Sequence, residues 1–289
     1  MIGISLAFLA AVAFGLSVVL VRRDLDKSNV LNAIFAVTLI GNIILWPLAL
    51  FFTDLKTAKS EGLLLFAAAG AFAPGIGRLL YYKGVKILGP SLNASIFATY
   101  PMYSSIMAAL LLNETLSTAN FLGIACALIG AVIIERSWSK DKIKPGKVFQ
   151  NLAFPIMATL SVAVSQVVRK YGLGIYNAPL LGVAVGYACS LLIYALALLR
   201  LPISLRTFSW RKELGYFWKA GVGLSIGWLL AFFALSLEKV SIVTPLLQTE
   251  SLFIIFFSHV FLKKIDEISV GLVFGSLIVV FGVALVSMK

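Results

Sequence analysis

The chain has 289 residues, 61% of them hydrophobic and 12% charged, and a mean hydropathy of +1.01. Soluble domains average about half apolar and about a quarter charged residues, so this composition excludes a soluble globular protein and reads as a polytopic, all-α membrane protein. The formal net charge of +12 comes from Lys and Arg lying mainly in short connectors; anionic lipid headgroups, at about 1 kcal/mol per basic residue near the surface, explain it without a nucleic-acid partner.

Hydropathy divides the chain into ten apolar segments of spanning length. The first, 4–21, has no positive charge before it and Arg22–Arg23 after it, so it reads as a membrane helix rather than a signal peptide. Segment 30–52 follows, with Asn42. Segment 63–82 holds Pro74, Gly75 and Gly77, where lost backbone hydrogen bonds allow a kink or a hinge. Beyond them come Arg78, Tyr81 and Tyr82 at helical spacing. In segment 91–112, Asn93, Tyr100, Tyr103 and Ser104 follow helical spacing and so share a face. Segment 119–134 carries Gly123 and Ala127, a small-residue pair suited to close packing.

A basic connector, 136–149, precedes segment 152–168, on which Ser161, Ser165 and Gln166 offer polar contacts or ordinary helix packing. Segments 179–199 and 214–236 follow, the latter with Trp228 and Phe232. Segment 242–262 contains Pro245, the lone His259 near its end and Glu250 at its middle. At about 1.5 Å rise per residue Glu250 lies roughly 12 Å from the nearer end, close to mid-bilayer, where a charge costs from about 3 to over 10 kcal/mol. Segment 269–286 closes the chain with Gly271 and Gly275, whose natural use is packing against the fifth segment.

The two halves repeat. An offset of 148 carries Ser17 onto Ser165 and Asn29 onto Asn177; an offset of 150 carries 76–80 (IGRLL) onto 226–230 (IGWLL); an offset of 152 carries Gly123 onto Gly275 and Gly130 onto Gly282. The implied domains are 1–135 and 150–289, joined by 136–149. With five segments in each half, the second copy must enter the membrane from the opposite side. The expected fold is therefore ten transmembrane helices as two inverted five-helix repeats, an arrangement of secondary transporters whose substrate site lies at mid-depth.

The stretch 82–94 (YKGVKILGPSLNA), Tyr100–Pro101, Asn113–Glu114 with Leu116, and Gly123 with Gly130 resemble the EamA-type repeat of the drug/metabolite transporter superfamily. The second copy is looser: it keeps Ala234, Leu235, Gly275 and Gly282 but has Glu250–Ser251 in place of Tyr100–Pro101. The resemblance implies a central cavity enclosed by the third, fourth, eighth and ninth spans with the first and sixth. It also implies transport of amino acids, other metabolites or drugs, with both termini in the cytoplasm. Loop charge votes otherwise: connectors after the odd-numbered segments hold 16 Lys and Arg against 5 after the even-numbered ones, which places both termini outside.

Candidate substrate-binding residues are Arg78, Tyr82, Asn93, Tyr100, Tyr103, Ser165, Trp228 and Glu250. Glu250 can neutralise a substrate amine or exchange a coupling proton, and Arg78 can hold a carboxylate bidentately. Together they suit a zwitterion such as an amino acid. The competing readings are a structural Arg78–Glu250 pair, a snorkelling Arg78, and packing roles for the aromatic residues. The expected function is alternating-access export of small polar metabolites from a multi-pass protein of the cell membrane. The rivals are a proton-coupled multidrug or organic-cation exporter and a non-transporting scaffold. No cofactor or metal is expected: motifs for nucleotide or metal catalysis are absent, one histidine stands alone, and Cys126 and Cys189 sit in separate apolar segments. Enzymatic chemistry is thereby disfavoured, the implied partners are a small-molecule substrate, protons and lipid, and the oligomeric state stays open, a monomer included.

Overall fold

Inside a bilayer the backbone has no water to bond, so apolar runs satisfy their own amides by coiling into helices. The structure, a computed structural model, describes residues 1–88, 93, 96–138, 151–200, 208–262 and 270–287; among these the chain is helical and contains no strand. In chain order the helices are α1 (Ile2–Asp24), α2 (Val30–Phe52), α3 (Ser60–Gly70), α4 (Gly77–Leu88), α5 (Tyr100–Leu111) and α6 (Thr118–Trp138). There follow α7 (Ala153–Ile175), α8 (Pro179–Leu199), α9 (Trp210–Leu237), α10 (Val240–Gln248), α11 (Glu250–Leu262) and α12 (Val270–Ser287).

Five stretches are by length and composition able to cross a membrane: Ile2–Asp24, Val30–Phe52, Ser60–Gly84, Pro179–Leu199 and Trp210–Leu237. The other expected segments also fall on helices, but shorter, divided or more polar ones. Segment 242–262 is split into α10 and α11, α5 covers only the second half of 91–112, and α7 carries Arg169 and Lys170 inside its last turns. The connector 139–150 and the loops 201–207 and 263–269 lie outside the described residues.

Helix ends are fixed by side chains where the sequence supplies them. Asn29 accepts from the Asn32 amide at 2.8 Å and starts α2. The Glu114 carboxylate, from the turn after α5, accepts from the amides of Val240 (2.7 Å) and Ser241 (3.1 Å) and caps α10 across the molecule.

Small residues set the closest approaches. A methyl group on Gly70 of α3 would overlap the backbone of Gly186 on α8, so glycine is what lets these helices touch. Likewise α6 packs on α12, with Gly130 against the Gly275 carbonyl and Gly282 against Gly123 and Ala127, the pairing expected from the small-residue spacing. The apolar core includes residues of α1, α2, α3, α8 and α9, where Phe14 meets Trp228 edge-on and Phe66 meets Phe232.

Cross-links between helices define two ends of the molecule. At one end Ser28, after α1, donates to Glu213 at the start of α9 (2.6 Å). At the other, Lys170 of α7 donates to the carbonyls of Leu235 (2.7 Å) and Glu238 (2.9 Å), beside the Glu114 cap of α10. The Met1 amino group lies 3.8 Å from Glu238, which places the start of α1 at this second end.

Candidate functional site

The helical path through the third segment fails at one residue. Ala73 is extended (φ −148°, ψ 130°), the Ala73–Pro74 peptide is cis, and Pro74 has no amide hydrogen to give. A break at this depth strips carbonyls of their helical donors, and in hydrocarbon each needs another. Two neighbouring helices supply them. From α7, Ser161 donates to Phe72 O (2.8 Å), Ser165 to Ala69 O (2.7 Å) and Ala73 O (3.2 Å), and Arg169 to Ala73 O. From α8, Ser190 donates to Gly70 O (2.9 Å) and Tyr194 to Pro74 O (2.6 Å). Ser161, Ser165 and Arg169 are spaced by four, as are Ser190 and Tyr194, so each set forms one helical stripe facing the break.

A second interruption divides α10 from α11 at Thr249, whose hydroxyl donates to Leu246 O at 2.7 Å. Pro245 does not break α10; the helix continues to Gln248. The consequence is chemical: Glu250 becomes the first residue of α11. Free amides and about half a positive charge at a helix N-terminus favour a carboxylate there, which offsets part of the cost of holding it in the membrane.

Between these breaks lies a cavity of about 210 Å³. Its polar lining includes Arg78, Gln166, Gln248 and Glu250; its aromatic wall includes Phe14, Tyr81, Tyr82, Phe97, Tyr100 and Trp228. In α1 the lining residues sit from mid-helix towards the end marked by Ser28 and Glu213, and in α4 and α11 they occupy the first turns, midway along the paths α3–α4 and α10–α11, so the cavity lies on that side of the Lys170 and Glu114 contacts. Among the described residues the ion pairs join Met1 to Glu238, and Arg23 and Lys27 to Asp24. Arg78 and Glu250 therefore share the cavity without forming a direct ion pair.

Five of the eight sequence candidates line this space: Arg78, Tyr82, Tyr100, Trp228 and Glu250. Three do not. Ser165 spends its hydroxyl on the carbonyls of the break. Asn93 is fully buried against Gly84, its carboxamide without a hydrogen-bond partner. Tyr103 is half-buried outside the lining. The shared face drawn through Asn93, Tyr100 and Tyr103 assumed one continuous helix, whereas a turn at Ala98–Thr99 precedes α5 and resets the register. Ser104 instead donates to Thr244 Oγ1 (3.0 Å), tying α5 to α10.

Arg169 was not a sequence candidate, because the hydropathy boundary at 168 placed it in a connector. It is 1% exposed, donates to Gln166 Oε1 (3.0 Å), and stacks over Trp228 (4.1 Å to the ring centroid) and Phe232 (5.2 Å). The four-residue spacing from Ser161 through Ser165 is the signal that extends the polar stripe to it.

A bundle of apolar helices, two of them interrupted around a charged, aromatic-walled cavity, defines a multi-pass integral membrane protein. Residues 1–136 match the EamA-like transporter family. The chain is similar to an uncharacterized transporter of Helicobacter pylori (strain ATCC 700392 / 26695), 20% identical over 281 residues, covering 95% of this chain and 92% of that one. A crystal structure of a protein 14% identical shares the fold, with a TM-score of 0.83 over 99% of this chain and 96% of the other. The class these findings support is a membrane transporter.

Proposed function

We propose that this protein is a secondary transporter of the cell membrane that exports small polar metabolites, amino acids foremost, by alternating access. The observation that carries this reading is the unpaired Arg78 and Glu250 on one cavity: a substrate carboxylate would take the guanidinium and a substrate amine the carboxylate. Size favours a metabolite, since about 210 Å³ falls below the ~300–1,000 Å³ usual for drug-sized ligands. The architecture we infer is ten spans in two inverted five-helix repeats, 1–135 and 150–289. It is supported by turns at Thr99 and Thr249, 150 residues apart, whose hydroxyls both donate three residues back, to Ile96 O (2.6 Å) and Leu246 O (2.7 Å).

The aromatic wall around Glu250 favours a second reading, proton-coupled export of an organic cation held by cation–π contacts. The test is reconstitution into proteoliposomes with labelled zwitterions and quaternary amines under an imposed pH gradient. Zwitterion flux lost in Arg78→Ala and in Glu250→Gln supports the first reading. Cation flux that needs Glu250 but not Arg78 supports the second, and no flux of any compound through well-folded protein leaves a scaffold.

A further inference from the structure

The charge inventory around the cavity is lopsided. Glu250 is the carboxylate in its lining, while Arg78 lines it and Arg169 lies behind its Trp228 wall. Among the described residues the partners of Arg169 are electrically neutral: a backbone carbonyl, an amide oxygen and two aromatic rings. A guanidinium buried to 1% exposure at this depth normally finds an anion, and none of the described ion pairs includes it. Donors are left over at this spot, the Tyr187 hydroxyl among them. Arg169 Nε and the indole Nε1 of Trp228 are both buried and without a hydrogen-bond partner.

These two side chains border a small void that also touches Ala73, Pro74, Tyr187 and Phe232. Its volume is about 10 Å³, at the lower limit for one water and too small for a carboxylate. The main cavity lies on the other side of the same residues: Ala73, Pro74 and Trp228 line both spaces. The Trp228 indole, with Ala73 and Pro74, thus separates an anion-less arginine from the site where substrate is expected.

We propose that Arg169 is a second anion-binding residue of the transport site, reached when the Trp228 indole turns aside, and that the preferred substrates carry two carboxylates. Arg78 takes one carboxylate at the cavity wall, while Arg169 Nε and the turned indole take the other. Glu250 remains for an amine or a proton. The proposal rests on the transport reading above and narrows its substrate class from zwitterions to diacids, acidic amino acids included.

The test uses the full-length protein in proteoliposomes, with L-glutamate, succinate and L-alanine as probes, and two readouts. The first is uptake by wild type, Arg169→Lys and Arg169→Gln. The second is emission from a protein whose other tryptophans (Trp46, Trp138, Trp210 and Trp218) are replaced by Phe, so that Trp228 alone reports. The expected result is that glutamate and succinate shift the Trp228 emission and alanine does not. Arg169→Lys, which keeps the charge but loses the planar fork, raises the diacid KM by about tenfold and leaves that of alanine nearly unchanged. Arg169→Gln removes diacid uptake; if it does not fold, the Lys variant and the emission readout decide. An equal loss for all three probes in Arg169→Lys, with no emission change in wild type, makes Arg169 a structural anchor and overturns the proposal. Alanine carried with dependence on Arg78 and Glu250, and diacids ignored, overturns it while leaving the transport reading intact. No uptake of any probe by folded wild type overturns both.

Discussion

Glu250 illustrates how a single residue reconciles a cost with a use. A charge at mid-bilayer costs from about 3 to over 10 kcal/mol, and no described ion pair relieves it here. Its relief is the helix N-terminus made by the turn at Thr249, together with exposure to the cavity. Glu250→Gln removes the charge and keeps the shape, so its melting midpoint in detergent should match or exceed that of wild type. Net flux driven by a pH gradient should disappear in the same variant. Arg78→Ala should raise the KM for a zwitterion by roughly ten- to a hundredfold, the equivalent of one charge-assisted hydrogen bond of ~1.5–3 kcal/mol. Both charges were legible in the sequence because each interrupts an apolar run. Arg169 was not: with Lys170 beside it, hydropathy ends the segment one residue early, and only the serine spacing points inward.

At the scale of the element, the interruption at Ala73 is held by five donors from two helices, and these determine how firmly the cavity wall is placed. A buried carbonyl that loses its donor costs about 1–3 kcal/mol, whereas hydrogen bonds between membrane helices average about 0.6 kcal/mol. Ser161→Ala should therefore lower the melting midpoint little. Tyr194→Phe should lower it more, because the Tyr194 hydroxyl is wholly buried and its bond ties α8 to Pro74 O, which otherwise accepts from the Gly77 amide of its own segment. Thermal unfolding of the two variants side by side checks the order, and equal midpoints would mean that the break is not held by these bonds. The sequence announced an interruption through Pro74 and Gly75, but the break at Thr249 comes four residues after Pro245, because a proline removes its own amide without fixing where the helix ends. The face drawn through Asn93 and Tyr103 failed for the same reason: periodicity carries no information across a turn it does not foresee.

For the molecule as a whole, the cavity lies towards the end of the Ser28–Glu213 contact, and a second set of cross-links closes the other end. Lys170 and Glu114 join α7 to α9 and the turn after α5 to α10, and Lys239 reaches Thr115 Oγ1 (2.9 Å) beside them. If access alternates, these bonds must part when the cavity faces the other way. Glu114 is the most connected of the set, since its carboxylate accepts two amides and the Ser241 hydroxyl (2.8 Å). Its loss should favour the opposite state. The cavity end is also the end of the basic connectors. Helices take up basic residues at both ends, Arg169 and Lys170 at one and Arg22, Arg23, Lys83, Lys86, Arg136, Arg211 and Lys212 at the other, and the remaining connectors keep the excess at the cavity end. By the positive-inside rule the cavity end is predicted to face the cytoplasm. Tyr82→Cys, in a background with Cys126 and Cys189 replaced by Ala, measures this directly. A membrane-impermeant thiol reagent should modify Cys at 82 from the cytoplasmic face of oriented vesicles and leave it unmodified from outside. Adding Glu114→Ala should raise labelling from outside by several-fold. Labelling from outside in the parent would reverse the orientation, and labelling unchanged by Glu114→Ala would remove its carboxylate from the gate.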